Sequence, residues 1–150
     1  MKWIGLTGGI ATGKSTATEV IRGLGLAVID ADKISHQLSE IGERGYEKML
    51  AHFGPQILKS DLSIDRKKLG QLVFADHKMK SDLENILHPL IRIEVQLQKK
   101  IQQDKGDRLC FYDVPLLFEK KLESEFDATV LIWCDHKTQL ERLIKRDGLT

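Results

Sequence analysis

Eight residues near the start of the chain have the types and spacing of a phosphate-binding loop. Gly8 and Gly13–Ser15 fit the pattern G-x-x-x-x-G-K-[ST]. The two glycines permit backbone conformations that a Cβ would penalise, so that consecutive N–H groups can point at one anion. Lys14 can reach the β- and γ-phosphates of a nucleotide, and the Ser15 hydroxyl can ligate Mg²⁺. The pattern therefore predicts a nucleotide site over Gly8–Ser15, which we call the P-loop.

The residues on either side of the P-loop agree with this prediction. Lys2–Leu6 is typical of a short strand and Lys14–Leu24 of a helix, which is the strand–loop–helix setting that the motif requires. The positive end of the helix adds to the attraction for phosphate. The predicted nucleotide-binding residues are those of the loop and the first helical turn: Gly8, Gly9, Ala11, Thr12, Gly13, Lys14, Ser15 and Thr16.

Two carboxylates follow the next apolar run. Leu26–Ile29 is typical of a buried parallel strand, and it leads directly into Asp30-Ala31-Asp32. Ligands of open α/β sheets gather at the carboxyl ends of strands. One of the two aspartates can therefore accept a proton from an attacking hydroxyl, and the other can cap the helix predicted over Lys33–Leu38. Asp32 immediately precedes that helix, and the sequence alone does not separate the two roles.

A later predicted strand also ends in an aspartate. Arg108–Asp113 is mostly apolar up to Asp113, whose carboxylate is placed to hold Mg²⁺ directly or through water. The alternative is a strand-terminal aspartate that caps or pairs locally. Pro115 prevents the strand from continuing in the middle of a sheet, so Val114–Glu119 is predicted to line a pocket wall.

Positive charge is concentrated near the end of the chain. Ala128–Cys134 predicts a further strand, and Lys137–Arg146 an amphipathic helix that carries Arg142, Lys145 and Arg146. One interpretation is a solvated helix face whose cations favour the C-terminal dipole. The other is an arginine that closes over a triphosphate and stabilises the transferred charge.

Between the second and third predicted strands lies a block that is helical throughout, from Glu40 to about Gln103. Because proline ends a helix or occupies its first turn, we expect one helix to end near Leu87 and another to begin at Pro89. The block predicts a substrate-binding subdomain, with structural cover as the alternative. Arg92 lies one turn after His88 and can meet an anionic substrate, whereas His88 can equally be a packed or capping residue.

Composition limits the other classes of function. A formal net charge of +1 over 150 residues gives no electrostatic case for nucleic acid or an acidic membrane. No apolar run approaches the ~20 residues of a membrane span, and no signal-peptide pattern precedes the first strand. Cys110 and Cys134 lie in apolar runs and are expected to be reduced core residues. A cytoplasmic location is the expectation.

Four features together resemble the dephospho-CoA kinase family. They are the P-loop Gly8–Ser15, the segment Ile29–Asp32, the segment His88–Ile91, and Asp113–Glu119, in that order and spacing. The pair Arg146-Asp147 is similar to part of the family's lid. The resemblance implies ATP-dependent phosphorylation of the ribose 3′-hydroxyl of dephospho-CoA, with Mg²⁺, to give coenzyme A and ADP.

The resemblance also implies an architecture. The expected fold is α/β, a P-loop NTPase core of a parallel sheet flanked by helices, formed by residues 1–39 and 107–150. Residues 40–106 would form a helical insertion that binds CoA. Family members continue beyond the residues present here, so the lid and a last strand and helix are expected to be incomplete. The expected partners are dephospho-CoA and ATP, with no nucleic acid or membrane, in a monomer or weak homo-oligomer.

Residue roles follow from the same resemblance. Asp32 corresponds to the base, and Lys14 and Ser15 keep their roles in the P-loop. Arg142 or Arg146 matches the lid arginine, of which Arg146 is favoured for catalysis and Arg142 for nucleotide binding. The metal residues would be Ser15 and Asp113. The expected substrate residues are Thr7, Asp32, His88, Arg92, Pro115 and Leu116.

Two rival functions differ in class. Another nucleotide or small-molecule kinase can use the same core, because a fold does not fix a substrate. A regulatory GTPase-type switch would need Asn-Lys-x-Asp and Asp-x-x-Gly. The first is replaced by Asp104-Lys105-Gly106-Asp107 and the second does not occur, which disfavours a switch.

Overall fold

A computed structural model describes residues 1–148 of the chain. These residues divide into two compact units, of which one combines Met1–Ala31 with the chain from Gln98 onward and the other is Asp32–Leu97. We call them the sheet unit and the helical unit. The sequence predicts functional domains with boundaries at 39/40 and 106/107, and this division stays a prediction. The boundaries of the two compact units lie at 31/32 and 97/98.

The sheet unit is built on four parallel strands in the order β2-β3-β1-β4. Its strands are β1 (Lys2–Gly8), β2 (Ala27–Asp30), β3 (Leu109–Asp113) and β4 (Ala128–Ile132). The α-helices that lie entirely within this unit are α1 (Lys14–Gly23) and α6 (His136–Asp147). A short 3₁₀ helix covers Glu123–Glu125. The predicted α/β class with a parallel sheet is confirmed.

Burial differs between β1, which has a strand on each side, and β4, one of the two edge strands. Residues Trp3–Thr7 of β1 are all buried, as expected for a strand with a partner on each side. The outer strand β4 leaves four of its five residues exposed. β4 also ends at Ile132, so the expectation that the strand reaches Cys134 is wrong. Cys134 is half-buried, whereas Cys110 on β3 is fully buried, and burial raises the pKa of the Cys110 thiol to about 11.

The helical unit packs its own core. It contains α2 (Ala31–Leu38) from Asp32 onward, α3 (Arg44–Phe53), a 3₁₀ helix (Pro55–Ile57), α4 (Arg66–Ala75) and the part of α5 (His77–Asp104) up to Leu97. The buried residues of this core are Tyr46, Met49, Phe53, Ile57, Ile64 and Leu69. The Tyr46 hydroxyl is not left unsatisfied, because it donates to the Leu62 carbonyl at 2.8 Å. The block is mostly helical as predicted, but it is not helical throughout, because Leu58 and Ile64 form an antiparallel bridge between the 3₁₀ helix and α4.

The helix α5 corrects one expectation. It runs without a break from His77 to Asp104 with Pro89 inside it, so the prediction of two helices divided at Pro89 is wrong. A proline within a helix costs about 3 kcal/mol because it removes a hydrogen bond and crowds the preceding turn. Leu90 and Val95, just beyond the proline, are buried in the folded protein. Burial of the helix face outweighs the local preference that the sequence indicates.

A glycine marks the close approach of α2 and α3, and it supports a stability prediction. A Cβ on Gly45 would lie 2.3 Å from the backbone oxygen of Leu38, which cannot move like a side chain. We expect Gly45→Ala to lower the free energy of unfolding by about 1–3 kcal/mol through overpacking. Urea denaturation measures the change.

The control for that variant is Gly70→Ala in α4. A Cβ at Gly70 meets no atom within 4 Å, so alanine should raise helix stability by about 0.5–1 kcal/mol. A Gly45→Ala protein that gains stability like Gly70→Ala would refute the packing argument.

None of the helices within residues 1–148 combines the length and the apolar character that crossing a membrane requires.

Candidate nucleotide-binding site

The P-loop connects the carboxyl end of β1 to the start of α1. Gly13 immediately precedes α1 and has φ 101° and ψ 17°, a conformation that strongly favours glycine. The Gly13 carbonyl accepts the amide of Ala17 at 3.1 Å, so the helical hydrogen bonds begin there. The first N–H groups of a helix have no partner within it, and here they belong to residues of the P-loop. The predicted strand–loop–helix setting is confirmed.

Gly8 is required for a different reason from the one the sequence suggests. Its φ is not positive, so backbone freedom does not explain it. A Cβ there would lie 2.7 Å from the backbone oxygen of Ile132 and 2.8 Å from Thr12 Oγ1. Gly8 therefore allows β4 and the P-loop to approach closely.

The P-loop also closes on itself. The Thr12 hydroxyl donates to the Gly9 carbonyl at 2.9 Å, and the Thr12 amide approaches the same oxygen at 3.4 Å. Thr12 is buried, whereas Ser15 and Thr16 in the first turn of α1 are exposed. The hydroxyls of Ser15 and Thr16 are therefore open to solvent, while that of Thr12 shapes the loop.

An ion pair lies at the base of the P-loop. Lys14 Nζ donates to Asp113 Oδ1, and the Thr18 hydroxyl donates to Asp113 Oδ2 at 3.0 Å. The Lys14 side chain is 19% exposed and that of Asp113 is 7% exposed, so the pair is largely shielded from water. A buried carboxylate needs both charge and hydrogen bonds to be tolerated, and this one has both. Asp113 therefore pairs with a P-loop residue that lies 99 positions away in the chain.

The strand register explains why Asp113 lies there. Asp113 is the last residue of β3, and its register partners are Leu6 on β1 and Asp30 on β2. Asp30 Oδ2 lies 3.7 Å from Arg22 Nη2 on α1. Two strand-terminal carboxylates therefore sit at the carboxyl edge of the sheet, and each has a cation of α1 beside it.

Asp32 does not lie in the position from which it could cap the following helix. α2 begins at Ala31, so Asp32 lies inside its first turn and does not precede it. The prediction that Asp32 immediately precedes this helix is wrong by two residues. An acidic residue in the first turn still favours the helix dipole. Asp32 is exposed and belongs to the helical unit.

The oxygen ligands near the P-loop are too few to hold a metal by themselves, but they suit Mg²⁺ that is also bound by phosphates and water. No group of three or more His, Cys, Asp or Glu side chains is placed to hold a metal within residues 1–148. Mg²⁺ usually keeps several waters and takes one or two carboxylates plus substrate phosphates. Asp113 and the exposed Ser15 hydroxyl fit this requirement, and their role as metal ligands stays a prediction.

The helix α6 contacts the P-loop through two side chains that donate to backbone carbonyls of the loop. Gln139 Nε2 donates to the Ile10 carbonyl at 2.6 Å, and Arg142 Nη1 donates to the Thr12 carbonyl at 3.0 Å. Asp135 caps the helix by accepting the Thr138 hydroxyl at 2.6 Å and the Thr138 amide at 2.9 Å. These hydrogen bonds lower the pKa of Asp135 below its usual 3.8, so the cap stabilises α6 above that pH and is lost as the pH falls through the lowered pKa.

The other predicted site residues lie on several elements. Thr7 is buried at the end of β1, and Arg146 is exposed in the last turn of α6. After β3, Pro115 is partly buried and Leu116 is 52% exposed with a positive φ of 58°. His88 and Arg92 are both exposed on α5 within the helical unit. The structure thus brings together the P-loop, Asp113 and Arg142, and their functional roles remain predictions.

Sequence reasoning missed two residues of this site. Thr18 lies four residues after Lys14, on the same face of α1, and that spacing is the signal that could have found it. Gln139 lies three residues before Arg142, so the two share a face of α6. The contact of Gln139 with Ile10, which is 129 residues away in the chain, could not be predicted from the neighbouring sequence.

Comparison with known sequences identifies related proteins. A family model described as dephospho-CoA kinase matches residues 2–150. A dephospho-CoA kinase of Bdellovibrio bacteriovorus is 42% identical over 147 residues, which cover 98% of this chain and 73% of that protein. One from Bacillus cereus is 43% identical and is matched over 98% of this chain and 74% of its own length.

Solved structures give the same result for the fold. A crystal structure from Thermus thermophilus is similar with a TM-score of 0.81 and 30% identity, over 99% of this chain and 74% of that one. A dephospho-CoA kinase from Campylobacter jejuni gives a TM-score of 0.69 and 33% identity over the same shares of the two chains. The likeness therefore extends over nearly all of the chain.

Proposed function

Because this chain belongs to the dephospho-CoA kinase family, we propose that it transfers the γ-phosphoryl group of ATP to the ribose 3′-hydroxyl of dephospho-CoA. The products are coenzyme A and ADP. The observation that carries the proposal is the P-loop with Lys14 paired to Asp113, in a chain whose residues 2–150 match that family. The family relation supplies the acceptor, which the P-loop alone does not specify.

The P-loop would hold the phosphates of ATP. Phosphoryl transfer needs little covalent chemistry from the protein, and positioning with charge neutralisation supplies most of the rate. Backbone N–H groups at the start of α1 are placed to bind phosphate oxygens. Lys14 would exchange the Asp113 carboxylate for the β- and γ-phosphates when nucleotide binds.

Asp113 and Ser15 would hold Mg²⁺ at this site. Both residues belong to the sheet unit, and Asp113 would become available as Lys14 turned from it to the phosphates. When bound, Mg²⁺ neutralises the charge that develops on the β- and γ-phosphate oxygens.

Asp32 would act as the general base. It follows Asp30, the end of β2, by two residues, and it is exposed. In the proposed reaction it orients the 3′-hydroxyl and accepts its proton as the new O–P bond forms. Asp30 is the weaker candidate because it already faces the cation of Arg22.

The remaining predicted residues would bind substrate or stabilise charge. His88 and Arg92 would meet anionic groups of dephospho-CoA, and Pro115 with Leu116 would contact the acceptor. Arg146 would stabilise the transferred phosphoryl charge as the lid arginine. The chain would work in the cytoplasm on two small molecules, as a monomer or weak homo-oligomer, without nucleic acid or membrane.

A substrate panel tests this proposal. ADP release with ATP and Mg²⁺ is measured in the presence of dephospho-CoA, nucleoside monophosphates or shikimate. We expect release with dephospho-CoA only. Faster release with a nucleoside monophosphate or with shikimate would assign the chain to a different P-loop kinase.

A further inference from the structure

We infer that Gln139 and Arg142 form a carbonyl clamp, which positions the P-loop so that its N–H groups face the phosphates. The inference rests on the proposed phosphoryl transfer at the same loop. The clamp consists of the two side-chain donors on α6 and the loop carbonyls of Ile10, Ala11 and Thr12 that accept from them.

The contacts define which side of the loop the clamp occupies. Gln139 Nε2 donates to the Ile10 carbonyl at 2.6 Å. Arg142 Nη1 donates to the Thr12 carbonyl at 3.0 Å and approaches the Ala11 carbonyl at 3.5 Å. Three consecutive carbonyls of the P-loop therefore point toward α6. Carbonyl oxygens repel phosphate, so this orientation removes them from the anion.

Because of peptide geometry, the direction of a held carbonyl fixes the direction of the N–H group of the next residue. In a trans peptide the carbonyl of one residue and the N–H of the next point in opposite directions. The described chain has no cis peptide bond. Holding the Ile10 carbonyl therefore directs the Ala11 N–H away from α6, and holding the Thr12 carbonyl does the same for the Gly13 N–H. These are the groups that a phosphate-binding loop presents to its anion.

An unusual backbone conformation supports the clamp independently. Ala11 has a φ of 58°, in the left-handed region that costs a residue with a Cβ about 1–2 kcal/mol. Such conformations persist where the surroundings over-determine them. The peptide groups on both sides of Ala11 are held by the clamp, which accounts for the stability of this conformation.

The clamp is anchored within the sheet unit. Asp135 caps α6 four residues before Gln139, so the first turn of that helix is fixed where the clamp begins. A Cβ on Gly13 would lie 3.3 Å from Arg142 Nη1, which shows how closely the guanidinium approaches the loop. Gln139 and Arg142 are positioning residues in this arrangement, because they act on the phosphates through the loop.

The test is the affinity for inorganic tripolyphosphate, measured by calorimetry without any acceptor. Gln139→Glu has the same shape but places an oxygen against the Ile10 carbonyl, and we expect its Kd to rise about tenfold. Gln139→Met removes the donor without adding charge and should raise the Kd about threefold. Glu141→Gln, an amide-for-carboxylate change on the same helix, is the matched control and should leave the Kd unchanged.

A second measurement separates positioning from general loss of structure. Affinity for adenosine, which has no phosphate, should be the same in all three variants and the wild type. An unchanged tripolyphosphate Kd in both Gln139 variants would overturn the clamp, and so would an equal loss for adenosine. Wild-type protein that binds tripolyphosphate but does not phosphorylate dephospho-CoA would overturn the proposed function and leave the clamp standing.

Discussion

Lys14→Ala is expected to lower kcat/KM for ATP by at least about 10²–10³-fold, the usual effect of removing one preorganised charge donor from a transition state. Lys14 is the cation that the motif places in the P-loop, and its Nζ donates to Asp113 Oδ1. The substitution removes the charge that would pass from this carboxylate to the β- and γ-phosphates. Steady-state ADP release with saturating dephospho-CoA measures the loss.

The same substitution also affects stability, which requires a control. Without Lys14, the buried carboxylate of Asp113 loses its cation and keeps the hydrogen bond from the Thr18 hydroxyl. Breaking a buried pair from one side costs about 3 kcal/mol. The double variant Lys14→Ala/Asp113→Asn removes the unpaired charge and should recover most of that stability but none of the activity. Recovery of activity in the double variant would show that Lys14 acts through folding alone.

Asp32→Asn is expected to lower kcat by about 10²–10⁴-fold, the usual contribution of a general base. The asparagine keeps the shape of the side chain but cannot accept the proton of the 3′-hydroxyl. Since Asp32 would act on the acceptor and not on ATP, the Kd for ATP should not change. Single-turnover rates and ATP titrations measure the two quantities separately.

The matched control for this prediction is Asp30→Asn. Asp30 lies 3.7 Å from Arg22 and ends β2, so its loss should weaken an ion pair of the sheet unit without removing the base. We expect Asp30→Asn to retain most of the wild-type kcat. The reverse pattern, a large loss in Asp30→Asn and a small one in Asp32→Asn, would transfer the role of base to Asp30.

The P-loop and its flanking elements were predictable because their signals are local. One short stretch of sequence contains the G-x-x-x-x-G-K-S pattern, the apolar run before it and the helical residues after it. Both β1 and α1 form within this stretch. The alternation of apolar runs with helical stretches also predicted the parallel sheet. These features depend on short-range sequence and on rules of chain connection.

Other features depended on tertiary contacts and were not predictable in the same way. Pro89 remains within α5 because residues beyond it are buried, which the local preference for ending a helix does not reveal. Gly8 is needed for the approach of the Ile132 carbonyl and not for its own φ. The contact of Gln139 with Ile10 joins residues 129 apart. For Gly8 and Gln139 the deciding atom belongs to a distant part of the sequence.

The most direct test of the proposed function is the identity of its product. The protein is incubated with ATP, Mg²⁺ and dephospho-CoA, and in parallel with an analogue of dephospho-CoA that lacks the 3′-hydroxyl. Mass spectrometry and ³¹P NMR then locate the added phosphoryl group. We predict one phosphoryl group on the ribose 3′-oxygen of dephospho-CoA and none on the 3′-deoxy analogue. Phosphorylation of the analogue, or of dephospho-CoA at any other position, would contradict the proposed reaction.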